Sequence, residues 1–515
     1  MILFLIAKIL VFLFLLLFLL FLYITVLRPP SHPQNIPAIP FWVALLPFFK
    51  RVDQSEIFAC YLQEPLRKHG AVKLFFGARW NVLVHRPAYL AEIFREEDLY
   101  QKSGNQKKIP HSVIASYLGD NIISAHGEVW KGYKAVVKPG LQRNDFDVGR
   151  LSKNAETFCQ LLTEAQGKAG DGGGVAVQDL LQRYSVANCS EVVLQTDFDA
   201  LSSPNASINL LQTAVKLEIF KPIFLNFPIL DRLPFPSRQR ARETVNKFRQ
   251  ELRRGLVDSH RHNDGLHVTL IEKGGGLGRR MLDARESGKW SEKQLLDNLA
   301  VAFVAGQENP QLCLISTLYL LAKHSWAQAR LHDEISTLGD DCALRQNQEA
   351  LATKLPFLTS VIYESLRLFP PIGQLVNRKT ADHALLGGSI MIPRNTYVGY
   401  NCYSTNRDPS AWGPTADMFD PSRWGTDTAT IQKQYRQRRM KAEFISFHGG
   451  RRACLGERFA MLELRVTLVT LVRTFTWVLD PSWVDRKTPA GPLYPWALRL
   501  VFTRRSEKNT CGIIG

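Results

Sequence analysis

The chain has 515 residues, of which 45% are hydrophobic and 22% are charged. This composition excludes a disordered or fibrous protein, and the length is sufficient to bury a large core. Lysine and arginine (64) exceed aspartate and glutamate (47), and the resulting net charge of +17 suggests nucleic acid, an anionic membrane or an acidic protein as partner. The eight cysteines form no Cys-x-x-Cys pair, which argues against a zinc ribbon or a dense disulfide framework and is typical of reduced cytosolic thiols.

The N-terminal segment is predicted to cross a membrane. Residues 9–27 carry no charged side chain, and a helix of this length spans about 28 Å, close to the hydrocarbon thickness of a bilayer. The alternative is a cleaved secretory signal, but the apolar run is too long and ends without a small-residue cleavage site. We therefore assign residues 1–27 to a transmembrane anchor.

Basic residues follow the anchor at Arg28, Lys50 and Arg51. This asymmetry favours a body on the cytosolic side.

A proline-rich hinge and a single body follow the anchor. Residues 28–44 contain five prolines. Because proline fixes φ and removes an N–H donor, this hinge is predicted to be a stiff, extended connector. Residues 45–515 are predicted to form one body that is mainly α with a small β part. Runs of β-branched and aromatic residues predict strands at residues 72–76, 80–84, 389–392 and 397–400.

One long helix is predicted with a well-defined start. Ser291 and Gln294 form a capping box, and Trp290 and Leu295 supply the matching hydrophobic staple. The apolar pattern continues to about Lys323, so the helix is about 50 Å long. A helix of this length and apolar character is expected to pass through the core.

The middle of this helix, residues 305–310, reads Ala-Gly-Gln-Glu-Asn-Pro. Because Pro310 has no N–H, the carbonyl of Gly306 loses its helical donor, which indicates a local groove. The bland alternatives are a simple kink or a solvent-exposed Glu308. We favour a functional site, since a buried acid beside an interrupted hydrogen-bond ladder is typical of one.

The segment Phe447–Gly456, Phe-His-Gly-Gly-Arg-Arg-Ala-Cys-Leu-Gly, carries the strongest chemical signal. Its glycines allow a tight turn that points backbone amides at the sulfur of Cys454. Helical character resumes after Gly456, and a cysteine just before a helix N-terminus is expected to have a lowered thiol pKa. A small buried apolar cysteine is the alternative, and the surrounding pattern argues against it.

This segment resembles the haem-binding loop of cytochromes P450, whose signature is Phe-x-x-Gly-x-Arg-x-Cys-x-Gly. The matching positions are Phe447, Gly450, Arg452, Cys454 and Gly456. The resemblance covers essentially the whole chain, anchor and hinge included. It implies the cytochrome P450 fold, with residues 45–515 as one haem-thiolate catalytic domain, and haem b as the cofactor with Cys454 as the metal ligand.

Two further segments resemble motifs of the same family. Glu364-Ser365-Leu366-Arg367 matches its Glu-x-x-Arg helix, in which positions i and i+3 share one face and form a salt bridge. Residues 419–424 resemble the later loop, whose arginine, here Arg423, completes a structural Glu–Arg–Arg network. Taken alone, the first match is common by chance and is usually a surface pair.

The resemblance also implies which residues contact the haem. These cofactor-binding residues are Trp130, Lys134, Arg378, Phe447, Arg452 and Gly456. Basic side chains suit the haem propionates because a guanidinium binds a carboxylate through two parallel hydrogen bonds.

The resemblance implies a monooxygenase that activates O2 with electrons from NADPH-cytochrome P450 reductase. Family members place an acid and then a threonine on the distal helix for proton delivery. Here the acid is Glu308, but Asn309 replaces the threonine, and an amide is not a hydroxyl relay. The catalytic residues are therefore Glu308, Asn309 and Gly306, whose carbonyl would hold a water. Phenol coupling, ring closure or desaturation, which begin with hydrogen abstraction, stay open as alternatives.

Residues 118–127 and 305–310 are similar to fungal enzymes of the dityrosine-synthesis type, which oxidise N-formyl-tyrosine. This similarity implies a small, tyrosine-derived substrate and a place in secondary metabolism. By family resemblance the substrate pocket is lined by residues 107–115, 304–308, 372–377 and 490–494. Its apolar members are Ile372, Leu375, Val376 and Leu493, and its polar members are Asn377 and Tyr494.

A basic cluster precedes and enters the haem loop. Its members are Lys433, Arg436, Arg438, Arg439, Lys441, Arg451 and Arg452, opposed only by Glu443. No nucleic-acid-binding motif or interleaved aromatic platform accompanies it, so nucleic acid is excluded as a partner. A solvated face is the bland alternative, and we favour a docking face for an acidic reductase.

The implied location is a single-pass membrane protein of the endoplasmic reticulum with a cytosolic catalytic domain. Two other function classes stay open at this stage. One is a haem-thiolate isomerase or dehydratase that needs no reductase, and Asn309 is compatible with it. The other is a non-enzymatic haem sensor, against which the acid at Glu308 and the apolar pocket argue.

Overall fold

A computed structural model of the protein describes residues 2–49, 52–170, 172–219, 221–265, 276–339 and 347–505. Two of the basic residues that follow the anchor, Lys50 and Arg51, lie outside the described residues. Over the rest, the chain is mainly helical with small sheets, as predicted.

The helices of the described part are numbered in chain order. They are α1 Ile2–Leu22, α2 Gln54–Ile57, α3 Gln63–His69, α4 Pro87–Arg95, α5 Asn105–Lys108, α6 Val113–Leu118, α7 Gly127–Leu141, α8 Val148–Ala169, α9 Val177–Asn188, α10 Ser207–Ile219, α11 Pro222–Asn226, α12 Pro236–Gly265, α13 Leu277–Glu286, α14 Glu292–Lys323, α15 Ser325–Ser336, α16 Gln348–Thr353, α17 Pro356–Leu368, α18 Cys402–Thr405, α19 Pro409–Trp412, α20 Thr428–Met440 and α21 Glu457–Thr474. Short 3₁₀ turns include Phe41–Phe48, Pro228–Arg232, Pro421–Trp424 and Gly450–Arg452.

The strands form one larger sheet and two small ones. They are β1 Ala71–Phe76, β2 Arg79–Val84, β3 Tyr100–Lys102, β4 Val175–Ala176, β5 Gln374–Thr380, β6 Ala384–Leu386, β7 Ile390–Ile392, β8 Tyr397–Asn401, β9 Phe475–Leu479 and β10 Arg499–Arg504. The five-stranded sheet has the order β1-β2-β8-β5-β3, and β2 pairs with β8 in parallel. The four strands predicted from sequence are therefore confirmed as β1, β2, β7 and β8, with small differences in their bounds.

Helix α14 is the central helix of the fold. Its predicted start is confirmed, because Ser291 and Gln294 form both hydrogen bonds of a capping box. The helix continues unbroken through Pro310 to Lys323, and its second half is almost entirely buried. It packs against α9, α12, α13, α17 and α21, so its polar middle lies inside the body.

The anchor stands outside the body. Residues Phe4–Leu22 have a mean hydropathy of 3.1, and none of this helix is buried. The hinge that follows is attached rather than freely extended. Its second half pairs with β1, since the N–H of Ile39 donates to the carbonyl of Lys73 at 2.9 Å and the N–H of Lys73 donates to Pro37 at 2.8 Å. The division into anchor, hinge and catalytic domain stays a prediction.

Candidate active site

The loop before α21 places Cys454 inside the body. Gly450 has φ +63°, and a Cβ built on it would lie 2.4 Å from the carbonyl oxygen of Phe94. Only glycine fits both the left-handed conformation and this close approach. The N–H of Cys454 donates to the carbonyl of Phe447 at 3.0 Å, which closes the turn, and α21 begins three residues later at Glu457.

The Cys454 thiol does not have the lowered pKa that the helix start predicts. Burial raises its pKa to about 11, although hydrogen bonds from the Gly456 and Glu457 backbone and the charge of Arg439 act in the opposite direction. Desolvation outweighs the helix terminus because the charged sulfur is removed from water. A stable thiolate at this position therefore needs a cation next to the sulfur, and a bound metal ion supplies one.

A cavity lies between this loop and α14, and we call it the Cys454 cavity. Its floor includes Phe447, Cys454 and Gly456, and its opposite wall includes Ala305, Gly306 and Asn309. The other predicted residues that line it are Trp130, Lys134 and Arg452. The structure thus brings the predicted haem loop and the predicted groove of the distal helix to the two sides of one space.

Basic and aromatic side chains from α7 and the loop meet at one edge of the Cys454 cavity. The Lys134 ammonium lies 4.6 Å from the centre of the Trp130 ring, and the Arg452 guanidinium lies 4.5 Å from the same ring. Arg452 is held by Glu97 at 2.9 Å and by the carbonyl of Ala125 at 2.9 Å. Glu97 also binds Arg378 at 2.9 Å, so one buried carboxylate orients both arginines.

Arg378 is buried behind this edge and does not line the Cys454 cavity in the part of the chain that the structure describes. Its Nε has no hydrogen-bond partner there, and neither does Nδ2 of the adjacent Asn377, which does line the cavity. Lys102 lines it as well and donates to Oδ1 of Asn377 at 3.2 Å. Burial and the two nearby arginines lower the pKa of Lys102 well below its usual value. The role of Arg378 as a direct haem contact stays a prediction.

The Glu364 network consists of Glu364, Arg367 and Arg423, which the structure brings together. The Glu364 carboxylate binds Arg367 through two hydrogen bonds of 2.7 and 2.8 Å, and Arg423 lies 3.3 Å from the same carboxylate. Its oxygens also accept from the N–H of Asp420 at 3.0 Å and from Nε1 of Trp424 at 3.1 Å. Glu364 and Arg367 are fully buried, so this is a structural element rather than a surface pair.

The polar groups of the distal segment, residues 305–310, lie on two sides of α14. Nδ2 of Asn309 donates to the carbonyl of Ala305 at 3.1 Å, so one amide hydrogen is committed to the helix itself. Cys189 packs against Gly306, where a Cβ would lie 2.7 Å from the cysteine sulfur. Both Asn309 and Gly306 line the Cys454 cavity. Local contacts hold the Asn309 side chain and the Gly306 backbone in place.

Glu308 faces away from this cavity. It forms an ion pair with Lys216 of α10, with Nζ and Oε1 3.3 Å apart. Both side chains are mostly buried, and the negative charge of Glu308 helps to raise the pKa values of Tyr117 and Tyr494. Its role in proton delivery stays a prediction, and a route from Glu308 to the cavity requires the carboxylate to leave Lys216.

The predicted substrate segments contribute unequally. Residues 304–308 and 372–377 supply lining residues of the Cys454 cavity, among them Ala305, Ile372 and Asn377. Residues 107–115 and 490–494 do not line it in the described part of the chain, although Tyr494 lies close enough to Glu308 for the two to interact electrostatically. Their contact with substrate stays a prediction.

Only some members of the predicted basic cluster are exposed at the surface. Arg438 pairs with Glu443 at 2.8 Å, Arg439 pairs with Glu457 at 2.9 Å, and Arg452 is buried. The members that stay exposed are Lys433, Arg436, Lys441 and Arg451. These four residues, which we call the exposed basic patch, lie on α20, directly after it, and in the Cys454 loop, where Arg451 is 3.9 Å from Asp98.

Sequence reasoning missed Glu97, Lys102 and Lys216. Each is paired with residues far away in the chain, and none lies in a spaced motif. The sequence offered one signal. Several of the predicted haem contacts are basic, and basic groups that converge in a buried site need an acid to balance their charge.

Comparison with known proteins agrees with this geometry. Residues 33–494 match the family model described as Cytochrome P450. The chain belongs to the cytochrome P450 family. Cytochrome P450-DIT2 of Saccharomyces cerevisiae is 42% identical over 495 residues, which cover 95% of this chain and 97% of that protein. Cytochrome P450 monooxygenase xanG of Aspergillus fumigatus is 37% identical over 472 residues, or 90% of this chain and 86% of that protein.

A solved structure supports the fold. The crystal structure of the cytochrome P450DA heme domain superposes with a TM-score of 0.71 at 19% identity, covering 93% of this chain and 97% of that one. The protein is thus a fungal-type cytochrome P450 monooxygenase of the branch that includes P450-DIT2 and xanG. Family membership implies a haem-thiolate centre, O2 and electrons from a reductase. The N-terminal apolar helix is consistent with a membrane anchor.

Proposed function

We propose that this P450 oxidises a small organic substrate in the Cys454 cavity, with haem b bound through Cys454. The observation that carries this proposal is the position of a buried thiol opposite the distal segment, inside one cavity. The donor set also fits the cofactor. Among the described residues, the buried Nδ2 of Asn377 has no acceptor, and Lys102, Lys134 and Arg452 line the same cavity, so donors that propionate carboxylates require are present. The bound haem supplies the activation of O2.

The chain's own residues then orient the cofactor and control protons. Trp130 and Lys134 would hold one edge of the haem, and Glu97 keeps Arg452 in a position where it would bind a propionate. Glu308 acts as the proton donor for the distal side. Because its mostly buried carboxylate is ion-paired with Lys216, a change of partner moves this carboxyl between Lys216 and the cavity side.

Electrons come from NADPH through cytochrome P450 reductase, which binds the exposed basic patch. Lys433, Arg436, Lys441 and Arg451 give this face a positive charge on the side of the haem thiolate. Complementary charge accelerates the encounter with an acidic partner.

The protein is a single-pass protein of the endoplasmic reticulum with its catalytic domain in the cytosol. Besides the anchor, an apolar surface supports contact of the body with the membrane. Its exposed members are Trp42, Phe49, Ile223, Ile229, Leu233 and Phe235. Trp42 lies in the 3₁₀ turn Phe41–Phe48, which overlaps the end of the hinge and contacts α11, the helix that contains Ile223. Exposed apolar area of this kind is typical of a membrane or protein contact.

The substrate is tyrosine-derived and serves a fungal secondary-metabolite pathway. Asn309 favours a second candidate chemistry, in which hydrogen is removed without oxygen insertion, as in phenol coupling or desaturation. One amide hydrogen of Asn309 is already bonded to Ala305, so this residue is a poorer proton relay than a free hydroxyl. A haem-thiolate isomerisation, which needs no reductase, is distinguished by its independence of NADPH.

Substrate-binding difference spectroscopy with a panel of N-acylated tyrosines tests this proposal. The expected result is a saturable spectral change for at least one member, followed by NADPH-dependent product formation with reductase. A product lighter by two hydrogens indicates coupling or desaturation, and a gain of one oxygen indicates hydroxylation. Absence of binding across the panel contradicts the tyrosine assignment, and turnover without NADPH contradicts the monooxygenase cycle.

A further inference from the structure

A buried acid outside the described site lies directly below the Cys454 cavity. Glu463 lies in α21, nine residues after Cys454, and its side chain is completely buried. Its helix neighbours Ala460 and Leu464 line the cavity. No ion pair joins Glu463 to a basic side chain among the described residues, which is unusual because buried carboxylates are normally paired.

Two residues of α9 bind the carboxyl group. Oε1 lies 3.0 Å from Oγ of Ser185 and 3.1 Å from Nδ2 of Asn188, and Oε2 has no hydrogen-bond partner within the described ranges. Asn154 donates to Oδ1 of Asn188 at 3.1 Å, which orients that amide so that its Nδ2 faces Glu463. The acid is therefore held in one geometry by neutral groups.

The hydrogen count at Ser185 determines where the proton lies. Oγ of Ser185 is 2.7 Å from the carbonyl oxygen of Gln307, in the middle of the distal segment, and this oxygen can only accept. A hydroxyl has one hydrogen, and it is used in this shorter contact. The 3.0 Å contact between Ser185 and Glu463 then joins two oxygens and needs a hydrogen from Glu463.

We propose that Glu463 is a protonated carboxylic acid at neutral pH and that it positions the distal segment through Ser185. The neutral acid donates to Ser185, and Ser185 donates to Gln307. Loss of the proton creates a carboxylate that competes for the Ser185 hydrogen and releases the Gln307 carbonyl. Glu463 is thus a positioning residue whose charge couples α21 to α14.

The surroundings agree with a neutral acid. Burial raises the pKa of Glu463 to about 8, although the hydrogen bonds to Asn188 and Ser185 act to lower it. The titratable groups that face it are Tyr184 and Cys189 from the α9 region and Cys313 from α14. Burial is the main cause that raises the pKa of all three, so they are neutral as well.

Infrared difference spectroscopy of the holoenzyme tests the protonation state. The spectrum of the wild type minus Glu463→Gln at neutral pH is expected to contain the C=O band of a protonated carboxylic acid, which disappears as the pH rises through about 8. A carboxylate band at neutral pH overturns the proposal. Ser185→Ala provides a second variant that keeps the acid, and it is expected to shift this band without removing it. An unshifted band overturns the Ser185 contact.

The pH dependence of stability gives an independent measurement. An exposed glutamate has a pKa of about 4.3, so between that value and about 8 the folded state holds a proton that the unfolded state has lost. Stability conferred by this group therefore falls as the pH rises through this window. The Tm of Glu463→Gln is expected to decline less over the window than that of the wild type, and equal declines overturn the proposal.

The reduction potential separates a positioning role from simple packing. Deprotonation adds a negative charge beside the cavity, so the midpoint potential of the wild-type holoenzyme is expected to fall as the pH passes about 8. Glu463→Gln is expected to lose this inflection, and an inflection retained by the variant overturns the coupling. None of these measurements uses a substrate, so they stand apart from the tyrosine assignment, whereas the effect on the distal segment rests on the proposed function.

Discussion

The Glu364 network and the distal segment differ in how fully their buried polar groups are paired. The Glu364 carboxylate accepts hydrogen bonds from Arg367, Asp420 and Trp424, so both of its oxygens are satisfied by the chain alone. In the distal segment, the side-chain amide of Gln307 is completely buried, and neither of its polar atoms has a hydrogen-bond partner among the described residues. Buried polar groups without protein partners are usually satisfied by water or ligand. The Glu364 carboxylate therefore belongs to a scaffold, whereas the distal segment keeps buried polar atoms that the described part of the chain does not satisfy.

The substitution with the largest expected effect is Cys454→Ser, at the proposed haem ligand. Serine cannot supply a thiolate, so the haem-thiolate absorption and turnover should both be lost completely. The measurement is the carbon monoxide difference spectrum of the reduced protein. The buried Cys313→Ser provides a control, because Cys313 lines the same cavity from α14 and is not in the haem loop. A thiolate spectrum retained by Cys454→Ser contradicts the ligand assignment.

Arg367→Ala is expected to destabilise the scaffold strongly. It leaves Glu364 as a buried carboxylate with its main partner removed, and such a loss typically costs about 3–5 kcal/mol of unfolding free energy. Denaturant titration measures this loss. Arg95→Ala removes the exposed pair with Glu96 and should cost less than about 1 kcal/mol. Equal losses in the two variants would show that burial does not determine the strength of the network.

Glu308→Gln is expected to slow turnover by about 10²-fold, the usual contribution of a general acid, while the haem content stays intact. Lys216→Gln keeps the acid and removes its partner, so its effect should be smaller. Steady-state turnover together with haem quantification measures both. Unchanged turnover in Glu308→Gln with the native substrate would exclude the proton-delivery role.

How well each region could be predicted depends on whether its contacts join residues that are close together in the sequence. Elements defined by local spacing were predictable. They are the capping box at Ser291, the pair of Glu364 and Arg367 at i and i+3, and the tight turn that requires a glycine at position 450. In each case, neighbours in the sequence are also neighbours in space. The fold class and the Cys454 loop could therefore be predicted before any coordinates.

The missed features depend on contacts between distant parts of the chain. Glu97 holds Arg378 and Arg452 across more than 280 residues, and Lys216 reaches Glu308 from a helix with no motif of its own. The raised pKa of Cys454 had the same origin, since the sequence showed the helix start but not the depth of burial. Desolvation depends on the complete tertiary packing, so local patterns cannot give its size.

Neutralising the exposed basic patch is expected to have the smallest effect, because it acts on encounter rather than chemistry. In Lys433→Gln with Arg436→Gln, reduction by the reductase should slow roughly two- to fivefold at low ionic strength and approach the wild-type rate at high salt. Stopped-flow reduction across a salt series measures this change. Arg240→Gln with Lys247→Gln removes the same charge from exposed positions on α12, away from the haem loop, and should leave the salt dependence unchanged. If both double variants behave alike, the reductase responds to net charge, and the patch is a solvated face rather than a docking site.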